Sequence, residues 1–151
     1  MDSTNIQEIT FFSESADFGI NNEEEIKEFL VSLLTKRYKR QDFILNYVAL
    51  SIEGIIEMNN QYLQHDYPTD VISFDFSEEF GVFGGDIFLC PEVIKLNAED
   101  LNVDYSEELL RVIIHGLIHF IGFDDTDEDL LSEMRLEEEV CLGLFRSRFY
   151  L

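Results

Sequence analysis

His115 and His119 stand four residues apart in HGLIHFIGFDD, residues 115–125, inside a run that is otherwise apolar. Four residues make about one helical turn, so both rings lie on one face. Imidazoles at that spacing point toward a common centre and suit a metal such as zinc. The plainer alternative is a pair of core histidines bonded to backbone or carboxylates, since buried imidazoles without partners are costly. Gly122 follows the second histidine by three residues and supplies the left-handed turn that ends a helix. The chain then folds back, and Asp125 is placed to act as a third ligand. Two histidines and one carboxylate leave a coordination position open on zinc, where water is activated as a nucleophile. The same set suits non-haem iron and other divalent ions, so the metal is one divalent ion with zinc as first candidate.

The elements that must carry these residues alternate along the chain. EITFF (8–12), DFILNYVALS (42–51), VISFDF (71–76) and DIFLC (86–90) read as four strands. Asn22 can cap a helix whose first turn is Glu23, Glu24 and Glu25 and which ends near Tyr38. A short helix covers 53–62, and Pro68 stops it. GVFGG reads as a chain break between the third and fourth strands. Pro91 opens a helix over 91–98. Asp104 or Ser106 caps the histidine-bearing helix, which is apolar from Leu109 to Ile121 apart from the histidines and Gly116, and so is buried. A last helix runs from about Asp127 to Phe145. Strand, helix, strand, then a hairpin, then helices: the expectation is one α+β domain over 1–151, a mixed four-stranded sheet packed with about five helices.

Composition bounds the rest. The chain of 151 residues carries 32 acidic and 10 basic side chains, a net charge of −22, yet apolar residues are interleaved throughout. That is a solvated acidic surface rather than a disordered tail, and it repels nucleic acid at long range. The one basic cluster is KRYKR, with Lys36, Arg37, Lys39 and Arg40. No apolar run is long enough to span a membrane. MDSTNIQEIT has neither the basic start nor the apolar core of a secretory signal. Cys90 and Cys141 lack metal-knuckle spacing and read as two buried thiols in a reducing cytoplasm.

HxxxHxxGxxD invites comparison with zinc peptidases of the metzincin type, whose helix reads HExxHxxGxxH. Their base is the Glu directly after the first histidine. Here Gly116 stands there and cannot move a proton, so the peptidase reading lacks its key group.

HGLIHFIGFDD resembles instead the HGxLHLxGYDH signature of the YbeY-type rRNA maturation factors. YPTDVISFDF followed by GGDIFL resembles that family's PTDVLSF and GDI segments, in the same order. EDLLSEMRLEEEV looks like its closing helix. The resemblance covers about residues 45–145. It implies a zincin-like α+β fold and a cytoplasmic metal-dependent hydrolase. The implied activity is single-strand endoribonuclease action in 16S rRNA 3′-end maturation and ribosome quality control. It also implies ribosomal RNA and the immature small subunit as partners, with basic ribosomal proteins as further candidates. The metal ligands would be His115, His119 and Asp125, since Asp125 rather than Asp124 aligns with the family's last histidine.

Two departures stand out. Carboxylate replaces histidine at the third ligand, which lowers the site's charge and the acidity of bound water. An arginine that the family carries before PTD is replaced by Leu63 in NNQYLQHDYPTD, so a phosphate loses its expected cation. His65 is a possible substitute. Thr69, Asp70, Ser73 and Asp86 lie in or beside the motifs, and Asp70, Ser73 and Asp86 are the catalytic candidates if a general base acts besides the metal. A second class of function is open: a ribosome-associated binding protein whose metal is mainly structural. Oligomeric state is not legible.

Overall fold

A computed structural model describes residues 5–149. Residues 1–4, at the head of the stretch read above as no secretory signal, lie outside the described residues, as do 150–151. The elements run β1 (Gln7–Ser13), α1 (Glu23–Ser32), β2 (Phe43–Ala49), α2 (Ile52–Leu63), β3 (Val71–Asp75), α3 (Ser77–Phe80), β4 (Phe83–Leu89), α4 (Pro91–Leu101), α5 (Tyr105–Ile121) and α6 (Glu128–Arg146). The sheet order is β1-β2-β4-β3. β1 and β2 are parallel, β2 and β4 are parallel, and β3 runs antiparallel to β4. This is the expected α+β fold with a mixed four-stranded sheet. The helix beyond the expected five is α3, a four-residue turn inside the β3–β4 connection.

Side chains alternate across the central strands. Leu45, Tyr47, Ile87 and Leu89 face one side, where Phe29 and Leu30 of α1 and Ile113 and Leu117 of α5 complete a dry core. Val48, Ile72 and Phe88 face the other side, beneath Ile55 of α2. Burying both faces is why the strands read as apolar runs rather than as clean alternation.

Local chemistry sets the helix ends. Glu23, Glu24 and Glu25 fill the first turn of α1 and suit its positive end, while Asn22 occupies the cap position without a side-chain bond. Ser51 does cap α2, accepting from the Gly54 amide at 3.1 Å. Asp127 caps α6, accepting from the Leu130 amide at 2.8 Å. The helical path after α1 widens into a π-type turn over Leu33–Arg37, where the Tyr38 amide bonds to the Leu33 carbonyl at 2.9 Å. Arg37 and Tyr38 both bond to Glu137 of α6 just beyond it.

Only the first two residues of the GVFGG stretch, Gly81 and Val82, form a break. β4 begins at Phe83 and contains Gly84 and Gly85. A Cβ on Gly84, at φ +139°, would sit 1.8 Å from the Ile44 carbonyl oxygen, and one on Gly85 would sit 2.1 Å from that of Phe74. Glycine is what lets β4 fit between β2 and β3 there.

Two constraints fix the rotation of α5 on the sheet. The buried Tyr47 hydroxyl donates to the Ile113 carbonyl at 3.0 Å. Gly116 lets the helix approach β4, since a Cβ there would meet both Ile87 Cδ1 and Cγ2 at 2.9 Å. With Ile113, Leu117 and Gly116 turned to the sheet, the stripe Glu108, Arg111, His115 and His119 is turned away from it.

Candidate functional site

That stripe lines an open cleft of about 1030 Å³. Its other walls come from the residues entering β3, from the C-terminal half of α4, and from one face of α6. The helix is therefore not buried all round: His115 is half-buried and His119 exposed, while Ile113, Ile114, Leu117 and Ile118 are fully buried.

Each imidazole is held by its inner nitrogen. His115 Nδ1–H donates to Glu138 Oε2 at 2.9 Å. His119 Nδ1–H donates to the Phe123 carbonyl at 3.2 Å. The second bond depends on the end of α5. Gly122 takes φ +129°, its amide bonds back to the Ile118 and His119 carbonyls, and the chain reverses so that the Phe123 carbonyl returns beneath the ring. With both Nδ1 atoms engaged, each Nε2 carries its lone pair outward, the arrangement that orients metal-ligating histidines. Burial alone would hold His115 below the usual imidazole range. The bond and charge of Glu138, with Asp70 and Asp125 nearby, outweigh that and raise it.

Asp125 lines the same cleft, and its charge is felt at His115. Asp124 is a turn residue instead, accepting from the Asp125 amide at 2.7 Å and from the Thr126 hydroxyl at 3.3 Å. Two outward-facing imidazole nitrogens with a carboxylate on the same cleft fit a divalent cation in chemistry. Among the described residues, no three His, Cys, Asp or Glu side chains are drawn together tightly enough to grip one. His115, His119 and Asp125 share one cleft without being drawn together into a metal-binding group.

The three further candidates separate. Asp70 and Ser73 line the cleft. Asp70 accepts from Asn97 Nδ2 at 3.3 Å, which ties the β3 entrance to α4. Asn59 fixes the same entrance from behind by donating to the Tyr67 carbonyl at 2.9 Å. Asp86 is not brought there. It precedes Ile87, whose side chain packs under α5, so strand alternation turns it to the opposite face. There it accepts from Asn46 Nδ2 at 3.0 Å, a polar pair between β2 and β4. Leu63 does line the cleft, whereas His65 is turned aside, stacked on Tyr67 and bonded to its hydroxyl at 3.1 Å.

Among the charged residues of the cleft that the sequence did not point to, four matter most. Glu138 lies in the stretch that resembles the closing helix, where nothing singles it out. Glu108 is buried, and its Oε1 has no hydrogen-bond partner, with Arg111 Nε 3.4 Å away in poor geometry. Burial holds this carboxyl above the usual carboxylate range, against the lowering pull of Arg111. Arg111 and Arg135 also line the cleft, so the expectation that no cation stands there is corrected. The signal was present: Glu108, Arg111, His115 and His119 fall on one helical phase, and so do Leu131, Arg135 and Glu138.

A histidine-bearing helix laid across a mixed sheet thus lines an open cleft with two imidazoles, each held through Nδ1. The comparisons give the family. The family model described as Endoribonuclease YbeY matches residues 8–146. The endoribonuclease YbeY of Cytophaga hutchinsonii is 37% identical over 136 residues, 90% of this chain and 94% of that protein. That of Bacteroides fragilis is 38% identical over 136 residues, 90% and 96% of the two chains. A solution structure from Thermotoga maritima aligns with a TM-score of 0.61 at 27% identity, covering 92% of each chain. The chain belongs to the endoribonuclease YbeY family.

Proposed function

We propose that this chain is a metal-dependent endoribonuclease of ribosomal RNA maturation, acting in the cytoplasm on the 3′ end of 16S rRNA within immature small subunits. Family membership supports the nuclease activity and the RNA substrate. The single observation that carries the metal is that His115 and His119 line one cleft with both Nδ1 atoms engaged, which leaves each Nε2 free to ligate. His115 and His119 would hold one divalent ion, zinc first, with Asp125 as the third ligand. Such an ion supplies Lewis acidity to water and to a phosphoryl oxygen.

The chain's own residues do the rest. Glu138 keeps the His115 ring in one tautomer and orientation, and the Phe123 carbonyl does the same for His119. Asp70 and Ser73 face the cleft from the β3 entrance, and Asp70 is the carboxylate placed there to accept a proton. Among the described residues no helix is long and apolar enough to cross a membrane.

A second reading rests on a specific observation. Leu63, with 46% of its surface exposed, lines the cleft where the resembling family carries arginine, which favours a ribosome-associated binding protein whose metal is mainly structural. One experiment separates the two. Metal content of the purified protein is measured together with cleavage of single-stranded RNA, before and after chelation. Cleavage that disappears with the metal and returns on zinc addition supports the nuclease. Bound metal without cleavage, in isolation and on immature small subunits, supports the binding protein.

A further inference from the structure

Six carboxylates line the cleft, those of Asp70, Asp100, Glu108, Asp125, Glu138 and Glu139, against two guanidinium groups, Arg111 and Arg135. A polyanion entering such a cleft needs a cation that is not already neutralised. Arg111 is committed. Its Nη2 lies 2.7 Å from Glu139, its Nη1 3.5 Å from Glu138 and its Nε 3.4 Å from Glu108. Those carboxylates and the buried stem fix it as the internal counter-ion of the wall that holds Glu138 against His115.

Arg135 differs on each point. Among the described residues it makes no ion pair, and it is exposed. Glu139, its natural i+4 partner on α6, is taken by Arg111 at 2.7 Å. Arg135 stands one turn ahead of Glu138 on the cleft face of α6, close enough for its charge to be felt at Glu108. Leu63, which also lines the cleft, offers no charge.

We propose that Arg135 is the phosphate-holding residue of this cleft, its guanidinium fork contacting a phosphodiester oxygen of single-stranded RNA while Arg111 stays bound to the wall. A planar fork with unoccupied donors matches two phosphate oxygens, which an ammonium does as a point charge only. The proposal rests on the endoribonuclease reading above.

The test is binding of a short single-stranded 2′-O-methyl oligoribonucleotide to the purified protein over a series of salt concentrations, with cleavage of plain single-stranded RNA measured alongside. Arg135→Gln is expected to weaken binding roughly tenfold at low salt. It should also make the salt dependence shallower by about 0.7, the contribution of one single-strand phosphate contact. Arg135→Lys should restore the salt slope but only part of the affinity. Lys36→Gln, outside the cleft, should leave both unchanged. Metal content and melting temperature should match the wild type in all three. Wild-type binding that Arg135→Gln leaves unchanged in affinity and slope overturns the assignment and leaves the nuclease reading standing. A wild type that neither binds nor cleaves RNA, free or within immature small subunits, overturns the nuclease reading, and the assignment with it.

Discussion

Glu138 Oε2 lies 2.9 Å from His115 Nδ1, across 23 residues of sequence and from a different helix. The carboxylate is 3% exposed, so its charge is poorly shared with water and acts on the ring. Removing it should cost more than a surface hydrogen bond would. Glu138→Ala is expected to lower metal affinity about 10- to 100-fold, the usual effect of losing such an orienting group. Glu138→Gln, which keeps an acceptor and the packing, should lose less. Metal titration with a competing chelator measures both, and equal affinities in the wild type and the Ala variant would remove Glu138 from the site.

The two aspartates after the glycine turn should behave differently. Asp125→Ala is expected to weaken metal binding sharply, and Asp125→His to keep it. Asp124→Ala should leave the metal in place and cost about 0.5–2 kcal/mol, because Asp124 closes a turn on the Asp125 amide. The His115→Ala, His119→Ala double variant should bind no metal. Chelation of the wild type should lower its melting temperature, since metal binding adds to folding stability. Metal analysis and thermal melts decide. The reverse order at the two aspartates would move the third ligand by one residue.

Glycines at the site report on geometry that side chains cannot. Gly122→Ala meets nothing within 4 Å, so its cost is backbone strain at φ +129°, about 1–2 kcal/mol. It should also loosen the Phe123 carbonyl from His119 and thereby weaken metal binding. Gly116→Ala presses on the fully buried, stiff Ile87 and should cost about 1–3 kcal/mol. Denaturant melts rank them, and a stabilised Gly116→Ala would show that α5 sits less closely on β4.

Much of this was legible because periodicity is a local signal. The strands around Leu45, Tyr47, Ile72 and Leu89 are apolar enough to announce themselves, and the i, i+4 histidines declare one face. What failed was whatever depends on a partner distant in sequence. Gly84 and Gly85 carry no side chain to show a strand, and only the neighbouring backbones explain them. The π-type turn at Leu33–Arg37 has no local signature. Asp86 was placed among the site residues because it lies in the GGDIFL motif, and with both faces of the sheet apolar the sequence does not show which face the cleft occupies. Glu138 and Arg135 sit in an acidic helix where their phase with the cleft depends on how α6 docks.

A pH dependence follows from Glu137. Its hydrogen bonds from Arg37, at 2.8 and 2.9 Å, are the chief reason its carboxyl stays below the usual range, with Tyr38 adding to them against burial. A depressed folded value means the native state binds fewer protons than the unfolded chain. The stabilisation is therefore present above the unfolded value near 4.5 and is lost as pH falls through the folded one. Glu137→Gln should lower stability at pH 7 by about 1 kcal/mol, given partial exposure of the pair. The gap to wild type should close in acid. A gap that persists unchanged at low pH would assign the loss to packing rather than charge.

The same pair changes how the basic stretch 36–40 is read. On sequence it is the one basic cluster. In the fold, Arg37 is joined to Glu137, and the Arg40 guanidinium lies 4.8 Å from the Phe83 ring centroid. Of the four charges only Arg37 is neutralised by an ion pair, and Lys36, Lys39 and Arg40 remain as exposed cations of the stretch. With a net charge of −22, three such cations cannot supply the several phosphate contacts that tight binding to naked RNA requires. Lys36→Gln with Lys39→Gln is therefore expected to leave RNA affinity nearly unchanged, while Arg37→Ala should lower the melting temperature without altering RNA affinity. The acidic surface should favour immature small subunits, whose basic proteins complement it, over isolated rRNA fragments at one fixed salt concentration. Filter binding and thermal melts on the same variants test this. A large loss of affinity for free fragments in the double lysine variant would restore the stretch as the RNA contact.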